Sequence, residues 1–516
     1  MDRKRSVLNV TVSIISHIIL LFSALIVRRL LIQNIGNDVN GLNNLYANII
    51  GLLAVVELGI GSAITYTMYK PIVADNKRQI AALFRVYTKT YKIVGVVIFF
   101  IGLTITPFLS RIIYDYDTVK VNVHFTFILA LVAAVISYFY SAKTALIEAY
   151  QNNYITTIIR TISQLICYGL QIGAILIWRS FTIFLVCQII ETIIVWILTE
   201  VTIRKKYGDI ICRSGSLDRI TRTEITRNTK AMFMHEIGIV MVKTVDNLII
   251  SGFVGVVVLG KYSNYTHIAA VITGVISLLF KPLSSAVGHL CAEKNNTEKQ
   301  KWFGWFYYLN FVLGFIFFLG YFAVVDGVIN LFFGPELQMP RSISFIITLN
   351  QFNQYMRNSL LLFRNASGAY YYDRWKAIVE GAVNLVLSLL FVMIFPEEYK
   401  VVGVIVATII TTLTICNTVE PYVVFKHIFS SSPKTFYIRN YSYTGLFTIC
   451  LLGMTFLIRE ETDSSVTGIL INGLIAVGMS IVVLGLVVIV DKQFREEIQT
   501  FIQKSRELIH RRKAAS

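Results

Sequence analysis

MDRKRSVLNVTVSIISHIILLFSALIVRRLLIQ (1–33) opens with a cluster of charges and then runs from Val7 to Val27 without an Asp, Glu, Lys or Arg. A secretory signal peptide starts the same way, but its apolar part spans roughly 7–15 residues and ends at a small-residue cleavage site. This run continues past that length with no such site, and a bilayer crossing takes roughly 20 mostly apolar residues. The stretch therefore reads as a retained first transmembrane helix. The same pattern recurs along the whole chain. Apolar runs predict further helices near 41–68, 87–109, 123–142, 155–178, 180–203, 229–251, 258–285, 303–325, 341–363, 376–395, 401–425, 440–458 and 466–490. The expected fold class is all-α, a polytopic membrane protein of about fourteen helices. Composition agrees: of 516 residues, 55% are hydrophobic and 15% charged, with mean hydropathy +0.65. A soluble domain carries roughly 25% charged residues, so a soluble multidomain enzyme is excluded, and so is a mostly disordered chain.

The basic excess, net +17, would suggest nucleic acid in a soluble protein. In a membrane protein it reports sidedness, and no nucleic-acid partner is expected. Loops at one set of helix ends (2–5, 69–86, 143–154, 204–230, 286–302, 364–376, 426–440, 491–516) hold 32 Lys and Arg, and the opposite loops hold 7. The positive-inside rule then places both termini in the cytoplasm of a bacterial plasma membrane. The outer loops are at most 16 residues long, too short for an external catalytic domain. The six cysteines are scattered, with no CxxC and no metal-ligand spacing. No HExxH, Walker or GxSxG motif occurs, so neither a metal, a cofactor nor a catalytic residue is expected, and the chain reads as a non-enzyme.

A shift of 219 residues superposes Gly36 on Gly255, Gly41 on Gly260 and Tyr46 on Tyr265. Each trio joins the first two helices of a six-helix half, and both halves start on the cytoplasmic side. The expectation is a parallel repeat: an N-terminal lobe at 1–203, a basic cytoplasmic linker at 204–228 and a C-terminal lobe at 229–425. Accessory helices fill 440–490. A tail at 491–516, with Phe494, Ile498, Phe501, Ile502, Leu508 and Ile509 at helical spacing, lies on the inner leaflet. Transporters built from such halves carry substrate between them.

A charge at the bilayer centre costs roughly 2.5–3.5 kcal/mol on insertion scales, so it normally faces a cavity or a partner. Lys89, Lys92 and Lys281 lie near cytoplasmic helix ends, where snorkelling accounts for them. Arg28 and Arg29 do not, because they sit toward the outer end of the first helix against the positive-inside trend. Interfacial anchoring and a lining role in a cavity remain the two readings of this pair. In AMFMHEIGIVMVKTVDNLIIS (231–251), Glu236, Lys243 and Asp246 form one polar stripe in which Lys243 and Asp246 can pair at i,i+3. Glu57, Glu191, Glu380 and Glu420 are further acids inside apolar runs, Glu57 and Glu420 in stretches loosened by Gly or Pro.

Four segments, RRLLIQNIGNDVNGLNNLYANIIGLLAVVELGIGSAITYTMYKPI (28–72), HEIGIVMVKTVDNLIISGFVGVVVLGKYSNY (235–265), MRNSLLLFRNASGAYYYDRWKAIVEGAVNLVLSLLF (356–391) and VEPYVVFKHIF (419–429), resemble bacterial polysaccharide flippases. These are lipid-linked oligosaccharide exporters of the multidrug/oligosaccharidyl-lipid/polysaccharide superfamily. The strings ELGIGSAI (57–64) and DNLIIS (246–251) are similar to the capsule and exopolysaccharide branch of Gram-positive bacteria. The resemblance implies two six-helix lobes around a cationic cavity. It matches Arg28 to a recurrent arginine of the first helix and Asp246–Asn247 to a polar pair of the seventh. Arg357, Arg364, Asp373, Arg374 and Glu380 match the segment of the tenth and eleventh helices. Departures stand at Asn365, where many relatives carry Asp, at Ala377, where Pro is common, and at Glu236, where a basic or polar residue is usual.

The expected function is a flippase that moves a polyprenyl-pyrophosphate-linked oligosaccharide from the inner to the outer leaflet by alternating access. Arg28, Arg29, Lys243 and Arg357 are the substrate-binding candidates, since cations, and Arg above all, match phosphate oxygens. Glu57, Glu236, Asp246, Asn247, Glu380 and Glu420 are candidates for ion coupling or gating. Expected partners are the lipid-linked substrate, membrane lipids, and a glycan polymerase and glycosyltransferases. Two competitors carry different signatures: a cation-coupled multidrug exporter needs acids to dominate the cavity, and a non-transporting scaffold of a glycan-assembly complex has no need of buried charges.

Overall fold

The computed structural model describes residues 3–57, 67–68, 71–72, 74–114, 116, 119–211, 244–293, 295–367, 369, 372–373, 375–458 and 465–496. Among them every regular element is helical. Nine helices within the described residues are long and apolar enough to cross a membrane, and they coincide with nine of the runs read from the sequence. The protein is a multi-pass membrane protein.

The chain divides into two compact units, Met1–Ser263 with Ala377–Val404, and Asn264–Lys376 with Ile405–Ser516. In the first lie α1 (Arg3–Asn34), α2 (Asn37–Leu53), α3 (Lys77–Ile105), α4 (Val123–Ala149), α5 (Asn153–Gly173) and α6 (Phe181–Ile211). They are followed by a helical stretch at 244–253 and by the first turns of α7 (Val256–Glu293). The second unit takes the rest of α7, then α8 (Asn296–Phe333), α9 (Arg341–Met356) and α10 (Asn358–Ser367). From α11 (Lys376–Ile394) all but the first residue returns to the first unit. The remaining helices are α12 (Lys400–Thr411), shared at Val404, then α13 (Asn417–Val423), α14 (Lys434–Leu457) and α15 (Val466–Val490).

Helix starts follow local chemistry. Asn76, Asn122, Asn295 and Ser465 each accept a hydrogen bond from the backbone N–H three residues on, satisfying a donor that the first helical turn leaves open. The second unit has an aromatic core. Phe303, Phe306, Tyr307, Phe311, Phe315, Phe318 and Phe322 on α8 pack against Phe352, Tyr355, Phe363, Phe429 and Phe447. Ring centroids stand 3.8 Å apart at Phe352–Phe447 and 4.0 Å at Phe311–Tyr443.

Several boundaries depart from the sequence reading. The second helix begins at Asn37 and tightens into a 3-10 turn at Ala54–Glu57. Helix α6 runs on to Ile211 and carries Arg204, Lys205 and Lys206, so the 204–228 linker starts as helix, and its residues 212–228 lie outside the described ones. Helices α7 and α8 approach within a few residues of each other, which turns most of the expected 286–302 loop into helix ends. The expected helix 341–363 breaks at Arg357 into α9 and α10. The expected helix 401–425 extends to Phe429 with wider π-type turns at Thr412–Cys416 and Val424–Phe429 on either side of α13. Pro421 inside α13 has no N–H to offer Asn417 C=O, and π turns commonly absorb such a mismatch. Of the 491–516 tail, residues up to Glu496 are described and 492–496 are helical.

Candidate functional site

The 219-residue repeat reappears as geometry. Helix α1 ends with the N–H groups of Ile35 and Gly36 both donating to Leu31 C=O, and the 244–253 helix ends with Val254 and Gly255 donating to Ile250 C=O. Gly36 has φ 141° and Gly255 φ 117°, a region where a side chain is strained and glycine is not. The helices that follow cross closely inside the first unit. A Cβ on Gly41 would lie 1.9 Å from Val256 C=O, and one on Gly260 would lie 2.6 Å from Asn37 C=O. Only glycine permits this approach.

Side-chain amides fasten the crossing. Asn37 Nδ2 donates to Val257 C=O at 2.8 Å, Asn40 Nδ2 to Gly260 C=O at 3.2 Å and Asn44 Nδ2 to Ser263 Oγ at 3.0 Å. One turn further along α2, Asn247 Nδ2 donates to Asn48 Oδ1 at 3.0 Å. Sequence reading passed over this asparagine stripe as a site, although the helical spacing of 37, 40, 44 and 48 was there to find.

Arg28 joins the same network. It is half-buried, and its Nη2 donates to Ser263 Oγ at 2.5 Å across 235 residues of sequence, while Ser263 Oγ donates to Gly260 C=O at 2.8 Å. Arg29 is likewise half-buried. The Arg28 guanidinium is held by a partner on another helix. Elsewhere in this unit the hydroxyls of Tyr91 and Tyr138 both donate to the Glu57 carboxylate, and Tyr87 donates to Tyr91 at 3.4 Å. Asn384 Nδ2 donates to Asp246 Oδ1 at 3.4 Å, Ser388 Oγ donates to Asn384 Oδ1 at 2.8 Å, and buried Glu380 lies one turn earlier on α11. Glu236 and Lys243 lie outside the described residues, as does the expected Lys243–Asp246 pair. Lys89, Lys92 and Arg160 are exposed on their helices.

The second unit holds an ionic cluster. Arg357, at the break between α9 and α10, grips Glu420 with two nitrogens: Nε to Oε2 at 3.1 Å and Nη2 to Oε1 at 2.7 Å. Lys376 Nζ reaches the same Oε1 at 2.6 Å, and Arg357 Nη1 donates to Gln354 Oε1 at 2.6 Å. The Arg357, Lys376 and Glu420 side chains are 9%, 5% and 1% exposed. Sequence reading separated these three, with Lys376 counted as a loop charge, because 44 and 63 residues divide Glu420 from its partners. Beside them Arg364 pairs with Asp373 at 2.5 Å, and Asp373 Oδ1 is buried without a hydrogen-bond partner.

Apolar spanning helices that enclose arginines, lysines and carboxylates in hydrogen-bonded clusters define a polytopic membrane protein of transporter fold. A family model described as polysaccharide biosynthesis protein matches residues 6–286, more than half of the chain. The chain belongs to that family. The fold is similar to that of a solved structure titled "Lipid II flippase MurJ, inward closed conformation", at 13% identity and TM-score 0.63, covering 93% of this chain and 99% of that one. It is also similar to an inward-facing multidrug resistance MATE family transporter of the MOP superfamily, at 13% identity and TM-score 0.55, with 77% and 95% covered. No curated protein matches the sequence.

Proposed function

We propose that the protein is a flippase that carries a polyprenyl-pyrophosphate-linked oligosaccharide, a precursor of capsule, exopolysaccharide or cell-wall glycan, from the inner to the outer leaflet of a bacterial plasma membrane. The observation that carries this reading is Arg28, tied to Ser263 inside the first unit rather than extended toward headgroups. A half-buried guanidinium supplies paired donors for phosphate oxygens. Arg29, Lys243 and Arg357 are the further cations assigned to the pyrophosphate. Glu57, Glu236, Asp246, Asn247, Glu380 and Glu420 are assigned to ion coupling or gating, and the Asp246–Asn384–Ser388 chain supports that role for Asp246.

The two six-helix lobes alternate access in this scheme. On the side that the charge count assigns to the outside, α2 and α7 cross at Gly41 and Gly260, and this crossing must part to release the substrate. Membrane lipids, a glycan polymerase and glycosyltransferases are the proposed partners. Flipping of an undecaprenyl-pyrophosphate-linked oligosaccharide into proteoliposomes tests the reading: Arg28→Ala abolishes it while expression and folding persist. Near-wild-type flipping by Arg28→Ala would return Arg28 to an anchoring role. A cation-coupled drug exporter predicts instead a changed drug susceptibility with unchanged surface glycan in a deletion strain.

A further inference from the structure

We propose that Arg357 and Lys376 form an anion subsite for the substrate pyrophosphate, and that Glu420 is an internal stand-in which occupies it until substrate displaces the carboxylate. The inference rests on the reading above of a phosphorylated lipid as substrate, and it assigns Glu420 a competing role rather than an ion-coupling one.

Charge balance is the first argument. Arg357 and Lys376 bring two positive charges to one carboxylate, so the three groups sum to +1 inside a buried cluster. A structural staple needs one cation, because each buried ion carries a desolvation penalty of several kcal/mol that only close pairing offsets. A pyrophosphate diester, joined to lipid on one side and sugar on the other, carries two negative charges. Exchanging Glu420 for that group brings the site to neutrality.

Geometry is the second argument. Arg357 already presents its Nε and Nη2 edge to two oxygens, the paired-donor arrangement that phosphate accepts. Gln354 Oε1 fixes the other edge of the guanidinium, and Gln354 is itself held by Nε2 donating to Thr412 Oγ1 at 2.9 Å. The two cations come from the α9/α10 break and the start of α11, neither of which carries Glu420.

The third argument is mobility of the carboxylate alone. Glu420 sits on a seven-residue helix containing Pro421 and bounded on both sides by π turns. Such turns recur at functional sites and accommodate an extra residue per turn, so a small change of register withdraws Glu420 without unfolding the helix. Asn417 Nδ2, buried without a hydrogen-bond partner three residues before Glu420, marks a segment whose polar groups are incompletely satisfied in this arrangement.

The test uses the purified full-length chain in nanodiscs, with undecaprenyl pyrophosphate, undecaprenyl monophosphate, inorganic pyrophosphate and phosphatidylglycerol as separate probes. Binding and thermal stability are measured for each. Glu420→Gln is expected to bind undecaprenyl pyrophosphate at least about tenfold more tightly than wild type, because it removes the competing charge. The gain is smaller for the monophosphate and absent for phosphatidylglycerol. Lys376→Met leaves a neutral Arg357–Glu420 pair, so it is expected to lose probe binding while melting no lower than wild type. That second variant keeps the idea testable should Glu420→Gln fail to fold. A cluster that only staples helices gives the reverse: Lys376→Met melts lower, and both variants bind the probe as wild type does. That result overturns the Glu420 assignment while leaving flipping by the wild type intact. If no variant, wild type included, binds or flips a pyrophosphate lipid, the functional reading fails together with this one.

Discussion

Gly41→Ala is the sharpest perturbation the structure offers. The added methyl would stand 1.9 Å from Val256 O, 2.8 Å from Val256 C and 3.2 Å from Gly260 N. All three are backbone atoms of α7, so no side chain can swing aside, and α2 and α7 must separate by more than about 1 Å to restore ordinary van der Waals distances. Three hydrogen bonds bridge the same few residues: Asn37 to Val257, Asn40 to Gly260 and Asn44 to Ser263. At roughly 0.5–1.5 kcal/mol each, their loss totals about 3 kcal/mol. Replacing a helical glycine by alanine returns about 1 kcal/mol, leaving a net destabilisation of this crossing near 2 kcal/mol.

The effect is local, so the assay must be local. Hydrogen exchange followed by mass spectrometry on peptides covering 37–46 and 256–263 reads the crossing directly, and a thermal melt reads the whole protein. Gly169→Ala is the control, since a Cβ there meets no heavy atom within 4 Å. The expectation is faster exchange confined to the two peptides in Gly41→Ala, a lowered melting temperature, and neither change in Gly169→Ala. Gly260→Ala, with its Cβ 2.6 Å from Asn37 O, should reproduce the result from the opposite helix. Exchange and melting in Gly41→Ala indistinguishable from the Gly169→Ala control would refute the claim that backbone contact holds α2 to α7.

Other expectations concern charge. Arg28→Lys keeps the charge but not the paired donors, and should lower flipping by about tenfold or more, whereas Ser263→Ala removes only a positioning bond and should flip at close to the wild-type rate. Tyr91→Phe and Tyr138→Phe each delete one donor to the Glu57 carboxylate, costing roughly 1.5–3 kcal/mol by melting; in a Glu57→Gln background the loss should shrink, because the accepting charge is gone. A substrate of two negative charges leaving a negative cytoplasm gains about 2.3 kcal/mol per charge in 100 mV, so flipping into proteoliposomes should slow when the potential is collapsed. An unchanged rate removes that driving force.

The spans were legible because a bilayer imposes one requirement, apolar length, that any sequence must display. Helix ends were less so: α6 continues to Ile211 through Arg204, Lys205 and Lys206, since once clear of the hydrocarbon a helix can extend on charged residues as well as apolar ones. The Gly36/Gly255 and Gly41/Gly260 matches were visible at a fixed offset, yet what they permit, backbone against backbone, involves the partner helix and has no local signature. The partner of Arg28 was out of reach for the same reason, being 235 residues away. The break at Arg357 was foreshadowed by the polar run Asn350, Gln351, Asn353 and Gln354, but the residue that draws Arg357 inward is Glu420. The π turns around α13 leave no periodic trace, because an apolar run does not reveal the hydrogen-bond register of its own helix.

The two kinds of packing in this chain suit different tasks. In the second unit the stacked rings of Phe352 and Phe447, and of Phe311 and Tyr443, are surrounded by further aromatics. Separating them would expose large apolar surfaces to water at about 25 cal/mol for each Å², so that core should move as a body. The α2–α7 crossing is made of glycine backbone and amide side chains. Opening it exposes groups that water can satisfy, and each exchanged hydrogen bond changes the free energy by only about 1 kcal/mol. A joint that must part and close in every cycle is better built this way than from interlocked apolar side chains. Arg28 makes the joint responsive to cargo: its bond to Ser263 ties the guanidinium to the crossing, and an incoming phosphate that captures the guanidinium competes for that bond. Binding then loosens the closure that release requires.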